Sequence, residues 1–348
     1  MSLVIRTLRA ASLVRVHELT QAAAEQRARI NEQRKPHLTA IARDAVGARY
    51  RFMAPMRAMI VDGTITGSVL IGERDSQATP GSPLLLDGRV ALARTGLTTP
   101  THNGGRLVLD FAALPGGPAD AVARQCDSAD AVTVSTEALA NALRTRGREP
   151  VVLPDTVDPR DWTVQPRRAA RTRRRLGWYG GPSVRGDALM LCEHVVRTLV
   201  DEVDFVFFNA VPSALTASAA RLEYALPVPL ALFPTLLAAL DLDLLLTPLT
   251  LNAANECLSN LPLLQAGMLG YPVLATDIEP YRTLPVTRLP NTPAAWIAAI
   301  RNRIFGLPAL RQEGETLRRA VHQTSLIGQW REHYFAAWTG QRRPPAHA

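Results

Sequence analysis

Lysine is almost missing from this chain. Lys35 is the only one in 348 residues, so the net charge of +8 is carried by arginine. Alongside abundant alanine, that skew reads as the composition of a high-GC genome rather than a surface selected for nucleic acid, and no nucleic-acid partner is expected. Cysteine is scarce too: Cys126, Cys192 and Cys257 are odd in number, far apart and free of any Cys-x-x-Cys pair. That pattern excludes a disulfide framework and a zinc site and implies reduced thiols. No apolar run is long enough to span a bilayer, since the most apolar stretch, 225–251, is broken by Pro227, Pro229, Pro234, Asp241, Asp243 and Pro248. The opening MSLVIRTLRAASLVRV lacks the uninterrupted apolar core of a signal peptide. A cytoplasmic location is expected, extending to the inner face of the membrane if the arginines contact it. A Gly-x-Ser-x-Gly elbow and a Gly-x-Gly-x-x-Gly fingerprint are both absent, which argues against a Ser-His-Asp hydrolase and a dehydrogenase.

What remains is the composition of an ordinary globular protein, 47% hydrophobic and 20% charged. At 348 residues the chain is too long for one core and should form two domains. Residues 1–48 are rich in Ala, Arg, Gln and Glu, with Leu13, Val16 and Leu19 at helical spacing, and read as a helical extension that docks either on this chain or on a partner protein. From Arg49 short apolar runs alternate with helical ones, the signature of βαβ units and a parallel sheet. The first set predicts a helix over 52–61, strands over 68–71, 89–93, 106–111, 131–134 and 150–153, and helices over 118–127 and 137–146. It makes a Rossmann-like domain of residues 49–153.

Residues 154–173, with further prolines and the start of the cluster Arg167, Arg168, Arg171, Arg173, Arg174 and Arg175, read as an interdomain linker. The cluster is either a solvated linker or a site for phosphates or an anionic membrane surface. A second Rossmann-like domain follows over 174–325, with strands over 175–179, 204–208, 242–247 and 272–275. Its helices are expected over 187–200, 233–240, 257–268, 293–304 and 309–322. A helix within 326–340 follows, and the tail 341–348 is expected to be disordered. Two doubly wound α/β units facing each other leave a cleft where ligands bind at strand carboxyl ends.

Two segments carry candidate phosphate-binding chemistry. Gly180-Gly181-Pro182-Ser183-Val184-Arg185-Gly186 joins a strand to a helix, where glycines permit close backbone approach and free N–H groups with Arg185 attract phosphate. Asn255 to Gly267 is a polar turn leading into an apolar helix, so Glu256, Ser259 and Asn260 sit where side chains and helix N–H groups can hold phosphates and a sugar. The alternative for both is ordinary turn and cap chemistry. Thr101-His102-Asn103-Gly104-Gly105 is a polar loop in which His102, beside Asn103, either positions an acceptor hydroxyl and relays a proton or is a plain surface histidine.

The runs CDSADAVTVSTEALANALRTRGREPVVLPDTV (126–157), RRLGWYGGPSVRGD (174–187) and FPTLLAALDLDLLLTPLTLNAANECLSNLPLLQAGMLGYPVLATDIEPY (233–281) occur in the order, and resemble the segments, of GT-B glycosyltransferases of the family 4 type that build bacterial surface polysaccharides. The resemblance is close over 126–281 and weaker over 50–338. It implies transfer of a sugar from a nucleoside-diphosphate sugar to a polysaccharide, lipid-linked or protein acceptor, with retention of configuration and with neither metal nor cofactor. It puts Gly180, Gly181, Ser183 and Arg185 at the donor diphosphate and Glu256, Ser259 and Asn260 at donor sugar and phosphate. Gln265 falls where the family has a glutamate on the nucleotide ribose, and Tyr50 and Arg51 fall on the acceptor side with His102 and Asn103. His102, Arg185 and Glu256 are the implied catalytic residues. Asp241-Leu242-Asp243 looks like a metal-binding Asp-x-Asp motif but starts a buried strand and reads as structural. The C-terminal helix should cross back and brace the two domains.

The chain departs from the family at Gln265, which lacks the glutamate's charge, at Leu258, where relatives often have lysine, and in its short first domain. These departures motivate a second reading, a weakened or inactive glycosyltransferase-like subunit that regulates or scaffolds a partner.

Overall fold

The computed structural model describes residues 35–71, 82–88, 105–116, 119–144, 149–179, 186–208, 212, 215, 222–225 and 228–341. Two six-stranded sheets, each wholly parallel among its described pairings, form the framework, and this is the two-domain α/β architecture expected from the alternating pattern.

The first sheet contains β1 (His37–Ala42), β2 (Thr66–Ile71), β3 (Leu84–Asp87), β4 (Leu107–Phe111), β5 (Ala131–Val134) and β6 (Val151–Val152), in the order β2-β1-β3-β4-β5-β6. Its inner strands read LLLD and LVLDF because they are buried on both faces, as parallel strands with helices on either side must be. A π-helical turn, Ala48–Met53, runs into α1 (Ala54–Val61) on one face. On the other lie α2 (Ala119–Asp127) and α3 (Glu137–Arg144), whose Val122, Cys126, Leu139, Ala140 and Leu143 pack on Ile41, Leu86, Leu109 and Val134.

In the first domain one element contradicts the sequence reading. Residues 37–42 belong to the stretch expected to be helical, yet they form β1, paired with both β2 and β3. The run HLTAIA is short, buried and β-branched at Thr39 and Ile41, and the Ala- and Arg-rich residues before it mask that local signal. The strand expected over 89–93 lies outside the described residues, as do 1–34 of the extension and 342–348 of the tail; Leu84–Asp87 forms a strand that the sequence reading did not include.

The second sheet contains β7 (Arg174–Trp178), β8 (Val203–Phe208), β9 (Leu222–Ala225), β10 (Leu244–Thr247), β11 (Val273–Thr276) and β12 (Thr287–Leu289), ordered β12-β11-β10-β7-β8-β9. Its helices are α4 (Gly186–Leu199), α5 (Phe233–Ala239), the single turn α6 (Ala253–Glu256), α7 (Leu261–Met268), α8 (Pro293–Ile304) and α9 (Leu307–Thr324). Where one helix was expected over 257–268, the chain instead breaks between α6 and α7, because Pro262 can begin a helix but has no N–H to continue one. Helices α7 and α9 pack in close contact: a Cβ on Gly267 of α7 would lie 2.5 Å from Val321 Cγ2 of α9, and one on Gly314 of α9 would lie 2.1 Å from the carbonyl oxygen of Gly270 in the turn after α7.

α10 (Ile327–Thr339) follows the second sheet yet buries Ile327, Tyr334, Phe335 and Trp338 against Leu38, Phe52, Met56 and Met59 of the first. The two crossings of the chain run side by side: Val157 N donates to Ser325 O at 3.0 Å and Ile327 N to Val157 O at 3.0 Å. Between them Tyr334 donates to Pro154 O at 2.8 Å.

Candidate functional site

A cleft of about 310 Å³ is lined by residues that follow the carboxyl ends of strands in both sheets. Asp44, Val46 and Gly47 come after β1, Ala112 and Ala113 after β4, and Asp155 after β6. Tyr179 comes after β7, Pro248 and Leu249 after β10, and Leu258, Ser259, Leu261 and Pro262 from the turn into α7. This is where doubly wound sheets carry their ligands, since helices begin and loops diverge there.

The floor of the cleft is a buried charge network centred on Arg51, whose side chain is 2% exposed. Its guanidinium grips Asp110 with two bonds, Nε to Oδ2 at 2.9 Å and Nη2 to Oδ1 at 2.7 Å. Nη1 donates to Leu153 O at 2.5 Å and to Asp155 Oδ1 at 3.1 Å. Thr133 adds a hydroxyl to Asp110 Oδ1 at 2.6 Å, and Ser259 donates to Asp155 Oδ2 at 2.6 Å. Burial opposes the charge on Arg51, but Asp110 and its neighbours hold the guanidinium well above its ordinary pKa. Such a network fixes geometry: with all three nitrogens engaged, Arg51 joins β4 and β6 and, through Asp155 and Ser259, the two domains.

Arg51 belongs to a larger arrangement. Arg49 pairs with Asp161 at 2.9 Å, and Arg57 with Asp158 and Asp161, each at 2.7 Å. Three arginines on one helical stretch thus hold three aspartates, 155, 158 and 161, of the segment leading to the second sheet.

The back wall is built on Gln265, in the middle of α7 and 2% exposed. Its Oε1 accepts from the Tyr179 hydroxyl at 2.9 Å, and its Nε2 donates to the Tyr50 hydroxyl at 2.9 Å. Tyr50 reaches this position from the π-helical turn, whose wider winding carries both Tyr50 and Arg51 inward. Burial pushes both tyrosine hydroxyls up from their ordinary pKa, so they stay neutral at physiological pH. Tyr179 also packs on Phe208 and Phe233, with ring centroids at 5.5 and 6.4 Å.

Among the other residues singled out by sequence, Ser259 and Leu258 line the cleft, whereas Glu256 is exposed and Asn260 donates to Thr283 Oγ1 at 2.8 Å. Ser259 also accepts from Leu261 N at 3.1 Å, a local turn just ahead of α7, whose N-cap position is Asn260. Gly180, Gly181, Ser183 and Arg185 lie outside the described residues, between the end of β7 and the start of α4, as do His102 and Asn103. Asp155, Tyr179 and Tyr281 line the cleft without having been singled out. Tyr179 directly precedes Gly180-Gly181 in sequence, and Asp155 is the second residue of the segment read as a linker.

Asp241 and Asp243 serve the opposite end of the sheet. Asp241 accepts from Arg168 N at 2.6 Å, Ala169 N at 3.0 Å and Arg171 Nη2 at 2.8 Å, and Asp243 from Arg175 N at 2.9 Å.

The segment bearing the arginine cluster is largely exposed, Arg167 included, but most of its arginines bond to the fold. Arg168 donates to Leu269 O and Gly270 O beyond α7, at 2.9 and 2.8 Å. Arg173 donates to Val200 O beyond α4 at 2.6 Å, Arg174 to Ile304 O at the end of α8 at 3.0 Å, and Arg175 to Leu240 O beyond α5 at 2.7 Å. Four arginines from one segment therefore satisfy the last carbonyls of four separate helices and place positive charge at their negative ends.

No protein-family model and no curated protein matches the chain by sequence. Solved structures do match in fold. A glycosyltransferase from Rickettsia africae superposes with a TM-score of 0.65 at 10% identity, over 88% of this chain and 98% of that one. HepE of Anabaena, in complex with UDP and glucose, gives 0.62 at 11% identity, over 85% and 97%. TarM gives 0.58 at 14% identity over 74% of this chain, which spans 54% of TarM's length. At such identities the likeness speaks to the fold: two Rossmann-like domains in the GT-B arrangement.

Proposed function

We propose that the chain is a glycosyltransferase that takes a nucleoside-diphosphate sugar into the second domain and passes the sugar to a polysaccharide, lipid-linked or protein acceptor held on the first. The observation that carries this reading is the cleft, lined from both sheets at their carboxyl ends. HepE, similar over most of both chains, is known in complex with UDP-glucose, and TarM with UDP and a GlcNAc-glycerol, which supports a donor and a glycan-like acceptor as ligands of this cleft.

In this reading the departing diphosphate sits at the turn 180–186, where backbone N–H groups at the start of α4 and Arg185 meet the developing charge, so that no metal is required. Ser259, tied to Asp155, and Asn260 frame the donor sugar at the head of α7. Gln265 faces the nucleoside. Arg51 keeps the acceptor-side wall fixed against the segment leading to the second sheet. Glu256, exposed on α6, and His102 are assigned the supporting catalytic roles implied by the family resemblance, with transfer retaining configuration.

A second reading, a glycosyltransferase-like subunit without turnover, draws on one observation: both the oxygen and the nitrogen of the Gln265 amide are hydrogen-bonded to tyrosines. The experiment that separates the two follows sugar release and transfer from UDP-, GDP- and ADP-sugars onto glycan acceptors. Transfer abolished by Arg185→Ala supports the enzyme. No turnover with any donor, together with co-purification of a second chain, supports the subunit.

A further inference from the structure

Gln265 is where the proposed donor site and the first domain meet. Its partner Tyr179 follows β7 of the same domain, so that bond persists however the two domains move. Tyr50 belongs to the first domain, and the 2.9 Å bond from Gln265 Nε2 to its hydroxyl crosses the cleft. Gln265 and Tyr50 are 2% and 5% exposed, so the amide has no water to turn to while Tyr50 is in place. A side chain buried to this degree keeps a hydrogen-bond partner. If a ligand hydroxyl becomes that partner, Tyr50 must give way.

We propose that the Tyr50 hydroxyl occupies the position on Gln265 that a nucleoside hydroxyl takes, so that Tyr50 gates the donor site and sets its affinity. The inference rests on the nucleotide-sugar reading of the cleft. A bond between two neutral groups is replaced by another of the same kind, so the gate is soft: it lowers nucleotide affinity without closing the site. The contacts of Ser259 with Asp155, 2.6 Å, and of the Thr136 hydroxyl with Cys257 O, 3.1 Å, also cross between the domains and keep the movement local to Tyr50.

The test is calorimetric titration of UDP into the wild type, Tyr50→Phe and the double variant Tyr50→Phe/Gln265→Met. Tyr50→Phe keeps the ring and removes the competing hydroxyl, and the dissociation constant of UDP should fall about two- to tenfold. The double variant should lose that gain, because the gain runs through the amide. A merely structural Tyr50 would leave affinity unchanged or weaken it. UDP binding that is equal or weaker in Tyr50→Phe overturns the gate and leaves the nucleotide reading standing, whereas absence of binding by all three proteins removes the nucleotide reading and the gate with it. Melting curves recorded alongside establish that each variant folds, and Tyr50→Leu replaces Tyr50→Phe should the latter lose its cooperative transition.

Discussion

Gln265 and Tyr50, 215 positions apart in sequence, meet at 2.9 Å through amide and hydroxyl. The first prediction comes from this contact and its counterpart on Tyr179. Gln265→Leu keeps the volume but strips two buried tyrosine hydroxyls of their shared partner. Unfolding in urea should show a loss of about 1–3 kcal/mol. An unchanged midpoint would mean that the tyrosines find other partners.

Arg51 and Arg57 lie on the same helical stretch and both pair with aspartates, but their surroundings differ. Arg51 is 2% exposed and Arg57 43%. Arg51→Met leaves Asp110 and Asp155 buried without their cation and should cost about 3–5 kcal/mol, whereas Arg57→Met should cost about 1 kcal/mol or less. Equal losses by denaturant titration would show that the network under the cleft is hydrated.

The helix-capping arginines lead to a third expectation. Arg173→Ala or Arg174→Ala should each lower stability by about 1 kcal/mol by exposing helix-terminal carbonyls that lose their donor. A cluster serving only to contact anionic lipid would leave the melting temperature unchanged and weaken vesicle binding instead.

Asp241 supplies a pH dependence. Burial alone would raise its pKa, but the N–H groups of Ala169 and Arg168 and the Arg171 guanidinium overcome this and hold it below the ordinary aspartate value. A folded-state pKa below the unfolded one contributes stability that is present above about pH 4 and is lost as pH falls through the folded value. Asp241→Asn, which tolerates the positive φ of 51° at this position, should therefore be less stable than the wild type at pH 7. The gap should narrow below about pH 4. At the alkaline end burial pushes Tyr271 up to about 12, so its contribution should be lost between about pH 10 and that value.

Gly314 sits inside the 18-residue helix α9, where alanine is normally the better helix former by about 1 kcal/mol. Because its Cβ would lie 2.1 Å from the Gly270 carbonyl oxygen and 2.9 Å from the carbonyl carbon, Gly314→Ala should instead destabilise by about 1–3 kcal/mol. A rise in melting temperature would contradict the close packing of α9 on the turn that follows α7.

Four strands of the second sheet, β7, β8, β10 and β11, were legible in the sequence as short apolar runs between turn residues, and α8 at 293–304 matches the expected bounds, whereas the edge strands β9 (LEYA) and β12 (TRL) were not, being short and partly exposed with charged residues among them. β1 was not, because six residues of strand follow a long helical composition and the propensity of the neighbours outweighed them. At the site, Gln265, Ser259 and Leu258 could be picked out by the segment they share, and Tyr50 and Arg51 by the family resemblance. Their partners could not. Asp110, Asp155 and Tyr179 come from distant parts of the chain, and pairings such as Arg51 with Asp155, 104 residues apart, depend on strand order, which local periodicity does not reveal. The arginine cluster shows the converse limit: its charge was visible, but four helix ends had to be in place before its role was.

The measurement that tests the central claim most directly is calorimetric titration of UDP, GDP and ADP and their glucose conjugates into the full chain and into Arg185→Ala. A nucleotide-sugar site at the carboxyl end of the second sheet predicts saturable binding of at least one nucleoside diphosphate, at one site per chain, that is lost or weakened tenfold or more, about 1.4 kcal/mol, in the variant. Binding by neither protein, or binding that Arg185→Ala leaves untouched, would contradict it.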